Sequence, residues 1–150
     1  MSKNKLPIGF ALLKVKEMQF SVFPKALIAN NVIKQNIKFA FGAELSDRII
    51  ACGCTYSLIT GGNYLLHIEV VCQFQIDENK WSEDMYNAEE NVFVLPGIFA
   101  EHLASIVAST TRGVLYANTK DTEFCNYPMS LIDVHKILKA KDIQITVGKQ

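Results

Sequence analysis

A chain of 150 residues carries 15 Lys plus Arg against 15 Asp plus Glu, so its formal net charge is zero. That balance excludes the basic footprint of a nucleic-acid binder and the cationic face of a membrane-surface protein. Apolar residues are 49% and charged residues 20%, which excludes a mostly disordered chain and leaves more apolar surface than one small core absorbs. The excess points to oligomerisation or an apolar binding surface.

The expectation is one domain over residues 1–150, opened by a polar tail at residues 1–5. The first residues lack the long apolar run and small-residue cleavage site of a signal peptide. No run of about 18 uncharged apolar residues occurs, so membrane insertion is not expected. Cys52, Cys54, Cys72 and Cys125, without a secretory cue, read as free thiols in a reducing cytoplasm.

Residues 10–23 are extended in character, but their alternation slips. Leu13 and Val15 are apolar at odd positions, and Met18, Phe20 and Val22 at even ones. One β-bulge near Lys16-Glu17 produces such a change of parity, and Pro24 then ends the strand. In residues 32–45, Ile33, Ile37, Phe39, Phe41, Ala43 and Leu45 share one face, opposite Lys34, Asn36 and Lys38. Residues 48–59 place Ile50, Cys52, Cys54, Tyr56 and Leu58 together. Gly61-Gly62-Asn63 is a hairpin signal. Beyond it Tyr64, Leu66, Ile68, Val70, Cys72, Phe74 and Ile76 alternate with His67, Glu69, Gln73 and Gln75. These runs predict an antiparallel meander with one buried face.

Residues 77–93 form a polar, acidic connector with room for a short helix. Leu95, Ile98, Phe99, His102, Leu103, Ile106, Val107, Thr110 and Val114 then recur at three-and-four spacing, an amphipathic helix of several turns. Arg112-Gly113 reads either as its C-terminal signal or as a place where another element approaches the helix closely. Residues 118–127 are a loop. Ser130 is the expected N-cap of a second helix, with Asp133 at the capping-box position, and residues 142–150 hold a short strand. The fold class is α+β: a four-stranded antiparallel sheet, a long amphipathic helix and a short C-terminal helix.

No pattern nominates chemistry. Cys52 and Cys54 form a C-x-C that Cys72 on the next strand could extend towards a metal, but all three share the parity of the apolar residues, the behaviour of small core residues. His67, His102 and His135 are scattered, without a metal-binding spacing. No catalytic residue, metal or cofactor is expected.

The order of elements resembles the SecB-like chaperone family. The resemblance is sharpest at "SIVASTTRG" (residues 105–113), followed by Tyr127-Pro128 and the helix start at residues 130–132. Weaker matches are "VKEMQFSVFP" (15–24) and "LLHIEV" (65–70). It implies a dimer of dimers with the long helices packed between sheets, in which Leu103, Ile106, Val107, Thr110, Arg112 and Gly113 serve helix packing and assembly. It implies an ATP-independent holdase for unfolded or slowly folding polypeptide. Phe39, Phe41, Tyr64, Phe74, Trp81, Tyr86, Phe93 and Phe99 are the candidate groove, because aromatic side chains contribute large contact area for few lost rotamers. Some members serve export through the SecA motor and others pair with toxin–antitoxin systems. Export members are acidic on the sheet surface. Here Glu17 and Glu69 match such positions, but Ser21 or Val22 stands where another acid is expected and the chain is neutral, so a non-export relative is the expectation. Two readings compete: a structural or regulatory subunit with filled grooves, and a hotdog-like small-molecule enzyme.

Overall fold

The computed structural model describes residues 9–28, 32–78, 81, 86–87 and 91–146. The polar tail at residues 1–5 and most of the acidic connector lie outside these residues. Four long strands come first: β1 (Phe10–Val22), β2 (Ile33–Glu44), β3 (Ile49–Thr60) and β4 (Asn63–Ile76), with a 3-10 turn, η1 (Pro24–Ile28), after β1. They form one antiparallel sheet in the order β1-β4-β3-β2. Strands β2, β3 and β4 are the expected meander, while β1 crosses over to pair with β4 and forms one edge, as β2 forms the other.

The β3–β4 hairpin closes on Gly61 (φ 59°) and Gly62 (φ 80°), the pair of positive φ angles that a two-residue turn of this twist requires. Register then sets the faces. Cys52 lies opposite Cys72, Cys54 opposite Val70, and Tyr56 opposite Ile68. These residues are all buried, with Ile50, Leu66, Phe74 and Ile76 beside them.

Strand β1 has two irregularities, between Leu12 and Lys14 and between Glu17 and Gln19, where the parity of the sequence shows one. Phe10 and Leu12 face inward. The bulge at Leu13 turns Val15 and Glu17 inward, and the bulge at Met18 restores Phe20 and Val22 to that face. A first shift hides in the sequence because Leu12 and Leu13 are both leucine.

The long helix α1 (Gly97–Thr119) lies across the inner face, against β3 and β4. It buries Phe99, Ala100, Leu103, Ala104, Val107, Ala108, Thr111 and Leu115. The alanines keep helix and sheet close. Hydroxyls that would otherwise be stranded bond back one turn, as Thr111 Oγ1 does to the Val107 carbonyl at 2.7 Å and Thr119 Oγ1 to Leu115 at 2.8 Å. The helix runs six residues past Gly113, so Arg112-Gly113 is not its C-terminus. Arg112 Nε instead donates to the Met129 carbonyl at 3.2 Å, which ties down the following loop.

Beyond the 3-10 turn η2 (Glu123–Asn126), the short helix α2 (Val134–Leu138) starts at an N-cap different from the expected one. Asp133 caps it, its carboxylate accepting from Lys136 N at 3.2 Å. Ser130 instead donates to Gln35 Oε1 on β2 at 2.5 Å. A second sheet joins β5 (Tyr86–Asn87), β6 (Val92–Leu95) and β7 (Ile143–Thr146) in the order β5-β6-β7. The C-terminal strand is where it is expected. Strand β6 takes Leu95 from the sequence-read helix, which begins after Pro96. Among the described residues no helix is long and apolar enough to cross a membrane.

Candidate functional site

The groups that could carry chemistry are engaged in structure. Cys52, Cys54 and Cys72 are wholly buried free thiols beneath α1. Burial holds Cys52 far above the ordinary thiol range and raises Cys72, and it pushes Cys54 up to about 11 despite a hydrogen bond to Thr111. They are neutral thiols, not nucleophiles. Ser57 Oγ and His67 Nδ1 meet at 2.7 Å. The ring of His102 stands edge-on to Phe10. His135 Nδ1 pairs with Glu101 at 3.0 Å. Among the described residues no group of three His, Cys, Asp or Glu could hold a metal.

Apolar surface is what the fold leaves over. Helix α1 covers the central strands, so the flanks of the inner face stay partly open. On β2 Phe39 and Phe41 are half-buried on that face. Tyr64, exposed at the start of β4, is not: the register shift after Leu58 sets it opposite Ile59 and edge-on to His67 on the outer face, out of the parity expected with Leu66 and Ile68. On the opposite edge Leu12, Leu13, Val15 and Met18 are exposed, as are Ile98 and Tyr116 on the outer side of α1 and Leu131 before α2. Ile98 belongs to the expected helix stripe, but the structure turns it outward, 79% exposed. Leu13 and Met18 are the bulge residues of β1, whereas Leu12 and Val15 face inward and stay exposed at the edge of the sheet.

The other aromatic candidates lie elsewhere. Phe74 and Phe93 are fully buried, Trp81 and Phe99 nearly so. The Trp81 and Phe93 rings lie 4.6 Å apart, and Phe10 meets Phe74 and Phe99 edge-on. These four form the core, because the second sheet and α1 cover positions that a single meander would leave open. The Tyr86 side chain lies outside the described residues. Of the helix-packing set, Leu103 and Val107 are buried against this chain's own sheet, Ile106, Thr110 and Arg112 are half-buried, and Gly113 is exposed. A Cβ on Gly113 would meet nothing within 4 Å.

Glu17 and Glu69 do not form one acidic surface. Glu17 turns to the helix side, where Asn118 Nδ2 donates to its carboxylate. Glu69 lies opposite Gln19 and Thr55 on the outer face. By the same register that outer face carries Lys14, Lys16, Lys34 and Lys38, which makes it basic.

No protein-family model matches the sequence, and no curated protein does. Among solved structures, the Mycobacterium tuberculosis SecB-like chaperone Rv1957, in complex with a ChAD peptide from the Rv1956 HigA1 antitoxin, superposes with a TM-score of 0.50 at 13% identity. The match covers 82% of this chain and 86% of that one. The chain has a SecB-like fold. At that identity the likeness is one of architecture: the sheet, then the long helix, then the short one. The two flanks of the inner face, and not the buried aromatic cluster, carry the partly open apolar side chains.

Proposed function

We propose that this chain is an ATP-independent holdase, which binds unfolded or slowly folding polypeptide on apolar grooves of a homo-oligomer. The observation that carries the reading is the uncovered apolar surface of the sheet flanks. Phe39 and Phe41 offer side-chain contact at the open margin of the inner face. Such a surface accepts many sequences, because burial of apolar area is non-directional.

Assembly as a dimer of dimers follows from the other exposed features. Strand β1 is an unpaired edge with Leu12, Leu13, Val15 and Met18 on display, a surface that a free monomer is disfavoured in leaving open. On α1, Gly113 lies between exposed Ser109 and Tyr116, so the outer side of the helix allows a neighbour's backbone to come close. The basic outer face argues against a SecA partner of the kind that meets acidic members of the family. The fold's likeness to a chaperone bound to an antitoxin peptide supports a dedicated client of antitoxin type, in a cytoplasmic setting.

The test is light scattering of a chemically unfolded protein diluted into buffer without ATP. Suppression in proportion to the added chain, weakened by Phe39→Ser with Phe41→Ser, is the expected result. Scattering unchanged by the chain would move the function to a structural or regulatory subunit.

A further inference from the structure

The two edges of the main sheet are built differently. Strand β1 carries two bulges, a device that twists an edge and hinders further pairing. Strand β2 carries none: its ladder with β3 runs without a shift from Ile33 opposite Thr60 to Glu44 opposite Ile49. Its other side is open. Among the described residues β3 is its one neighbour in the sheet, and no backbone hydrogen bond outside that ladder reaches it. Alternate residues of an antiparallel strand turn their N–H and C=O groups to opposite sides, so the 12 residues of β2 present the backbone groups of about six residues along this edge. The side chains beside the edge are of two kinds. On the inner face Ile37, Phe39 and Phe41 are half-buried at the margin of the core. On the outer face Lys34, Asn36, Lys38 and Ala40 are exposed, and neither lysine forms an ion pair with a described residue.

We infer that β2 receives an extended segment of a bound polypeptide as a fifth strand, with apolar side chains beside Ile37 and Phe39 and acidic side chains beside Lys34 and Lys38. This deepens the polypeptide-binding reading and rests on it. The unpaired backbone selects the class of partner. An extended polypeptide offers donors and acceptors at the spacing of an open edge, whereas a small ligand or a nucleic acid does not. The pleat then selects the side chains. Faces continue across a ladder, so residues of the added strand next to odd-numbered positions of β2 lie on the inner face and those next to even-numbered positions on the outer. Lys34 and Lys38, four residues apart, stand about 13 Å from one another along a strand, and acids at the same interval meet both. Opposite charges across a ladder stabilise it and like charges oppose it. The backbone bonds themselves are indifferent to sequence, which suits a surface for unfolded chains. The assembly proposed above uses β1 and the outer side of α1, and so leaves the β2 edge free.

The probe is a labelled peptide of sequence Val-Glu-Val-Thr-Val-Glu-Val, with its acids four residues apart on one face and its valines on the other. Fluorescence anisotropy against the full chain gives its affinity, and amide hydrogen exchange read by NMR shows where it lies. The expected result is binding that slows the exchange of alternate β2 amides and leaves those of β1 unchanged. A form N-methylated at each internal residue keeps the side chains and the charge but cannot donate, and is expected to bind at least about tenfold more weakly. Lys34→Glu with Lys38→Glu should weaken the parent peptide by a similar factor, and a peptide with Lys in place of Glu should recover the loss. Both lysines are exposed, and circular dichroism confirms that the variant is folded. Absence of binding, binding without protection of β2, or a charge exchange without rescue overturns the inference. Slow exchange along the whole of β2 before peptide is added means that the edge is already covered, as by a second copy of the chain, and overturns it too. Aggregation suppression on the same preparations keeps the two readings apart: suppression with no protection of β2 defeats only the edge assignment, and protection with no suppression defeats only the holdase.

Discussion

Gly97 and Ala140 touch at backbone distance. A Cβ built on Gly97 would lie 2.0 Å from the Ala140 carbonyl oxygen. That contact locks the first turn of α1 to the loop after α2, and two further bonds hold it. Gly97 N donates to Asp142 Oδ1 at 2.8 Å, and Ala140 N donates to the Glu101 carboxylate. The helix has no side-chain N-cap of its own at Pro96, so a residue from 45 positions later satisfies one of its free amides. Lys139 and Ala140 both sit at positive φ to make the approach.

Gly97→Ala therefore forces backbone against backbone, with no flexible side chain to yield. The expected loss is about 1–3 kcal/mol, the range for overpacking. Urea unfolding measures it, and an unchanged midpoint would show that the loop moves aside at little cost.

Glu101 and His135 separate a structural carboxylate from a surface pair. The His135 side chain is largely exposed, so His135→Ala is expected to change stability by no more than about 0.5 kcal/mol. Glu101→Ala also removes the acceptor of the part-buried Ala140 amide and is expected to cost about 1–3 kcal/mol. Equal effects of the two substitutions would contradict the assignment.

Charge on the helix should discriminate by depth. Val107 is fully buried and Ile106 only half-buried. An unpaired charge in the interior costs on the order of several kcal/mol, comparable with the stability of a whole domain. Val107→Asp is expected to yield unfolded or insoluble chain, and Ile106→Asp a folded chain with an altered oligomeric state. A soluble, cooperative Val107→Asp variant would sink the packing described for α1.

Gly113 offers the complementary test. Its outward side is empty within the chain, so Gly113→Ala should raise helix stability by up to about 1 kcal/mol. Gly113→Trp should leave the fold intact and dissociate the assembly, as read by light scattering coupled to gel filtration. A Trp variant with the wild-type mass in solution would exclude this face from the interface.

Thiol chemistry gives a pH prediction whose sign is fixed. Cys125 is exposed, and the other three thiols are buried. At mildly alkaline pH an aromatic disulfide reagent should titrate one thiol rapidly and three more only after unfolding. Cys54 ionises near 9 when its surroundings are water and at about 11 in the folded chain. Its contribution to stability is thus fully present below pH 9, and is lost as pH rises from about 9 towards 11, where the unfolded state releases a proton that the folded state keeps. Rapid labelling of all four thiols in the native chain would refute the burial.

Much of this architecture is legible locally. The alternation through β2, through β3 and from Leu66 to Ile76 of β4, and the Gly61-Gly62 turn, each found its place in the fold. The helix stripe did so in part: Phe99, Leu103 and Val107 are buried, but Ile98 and His102 are exposed, and Ala100, Ala104, Ala108 and Thr111 share the buried face instead. The first bulge of β1 is not legible, because adjacent leucines conceal a change of parity. Nor is the cap at Asp133, since Ser130 is an equally good capping residue until Gln35 of a distant strand claims its hydroxyl. The candidate site divides along the same line. Alternation says that Phe39 and Phe74 point to one face, but not that α1 covers Phe74 and leaves Phe39 at the margin.

Local pattern therefore carries the identity and order of the main elements and the apolar face of the inner strands. Those follow from backbone periodicity and turn chemistry, which act over a few residues. The tertiary structure alone decided that β1 crosses to pair with β4, that a second sheet closes over Trp81 and Phe93, and that Asp142 caps a helix begun far earlier. Coverage is the physical reason: whether an apolar or polar group ends in the core, at an edge or in a groove depends on which distant segment lies over it, and no local pattern records that.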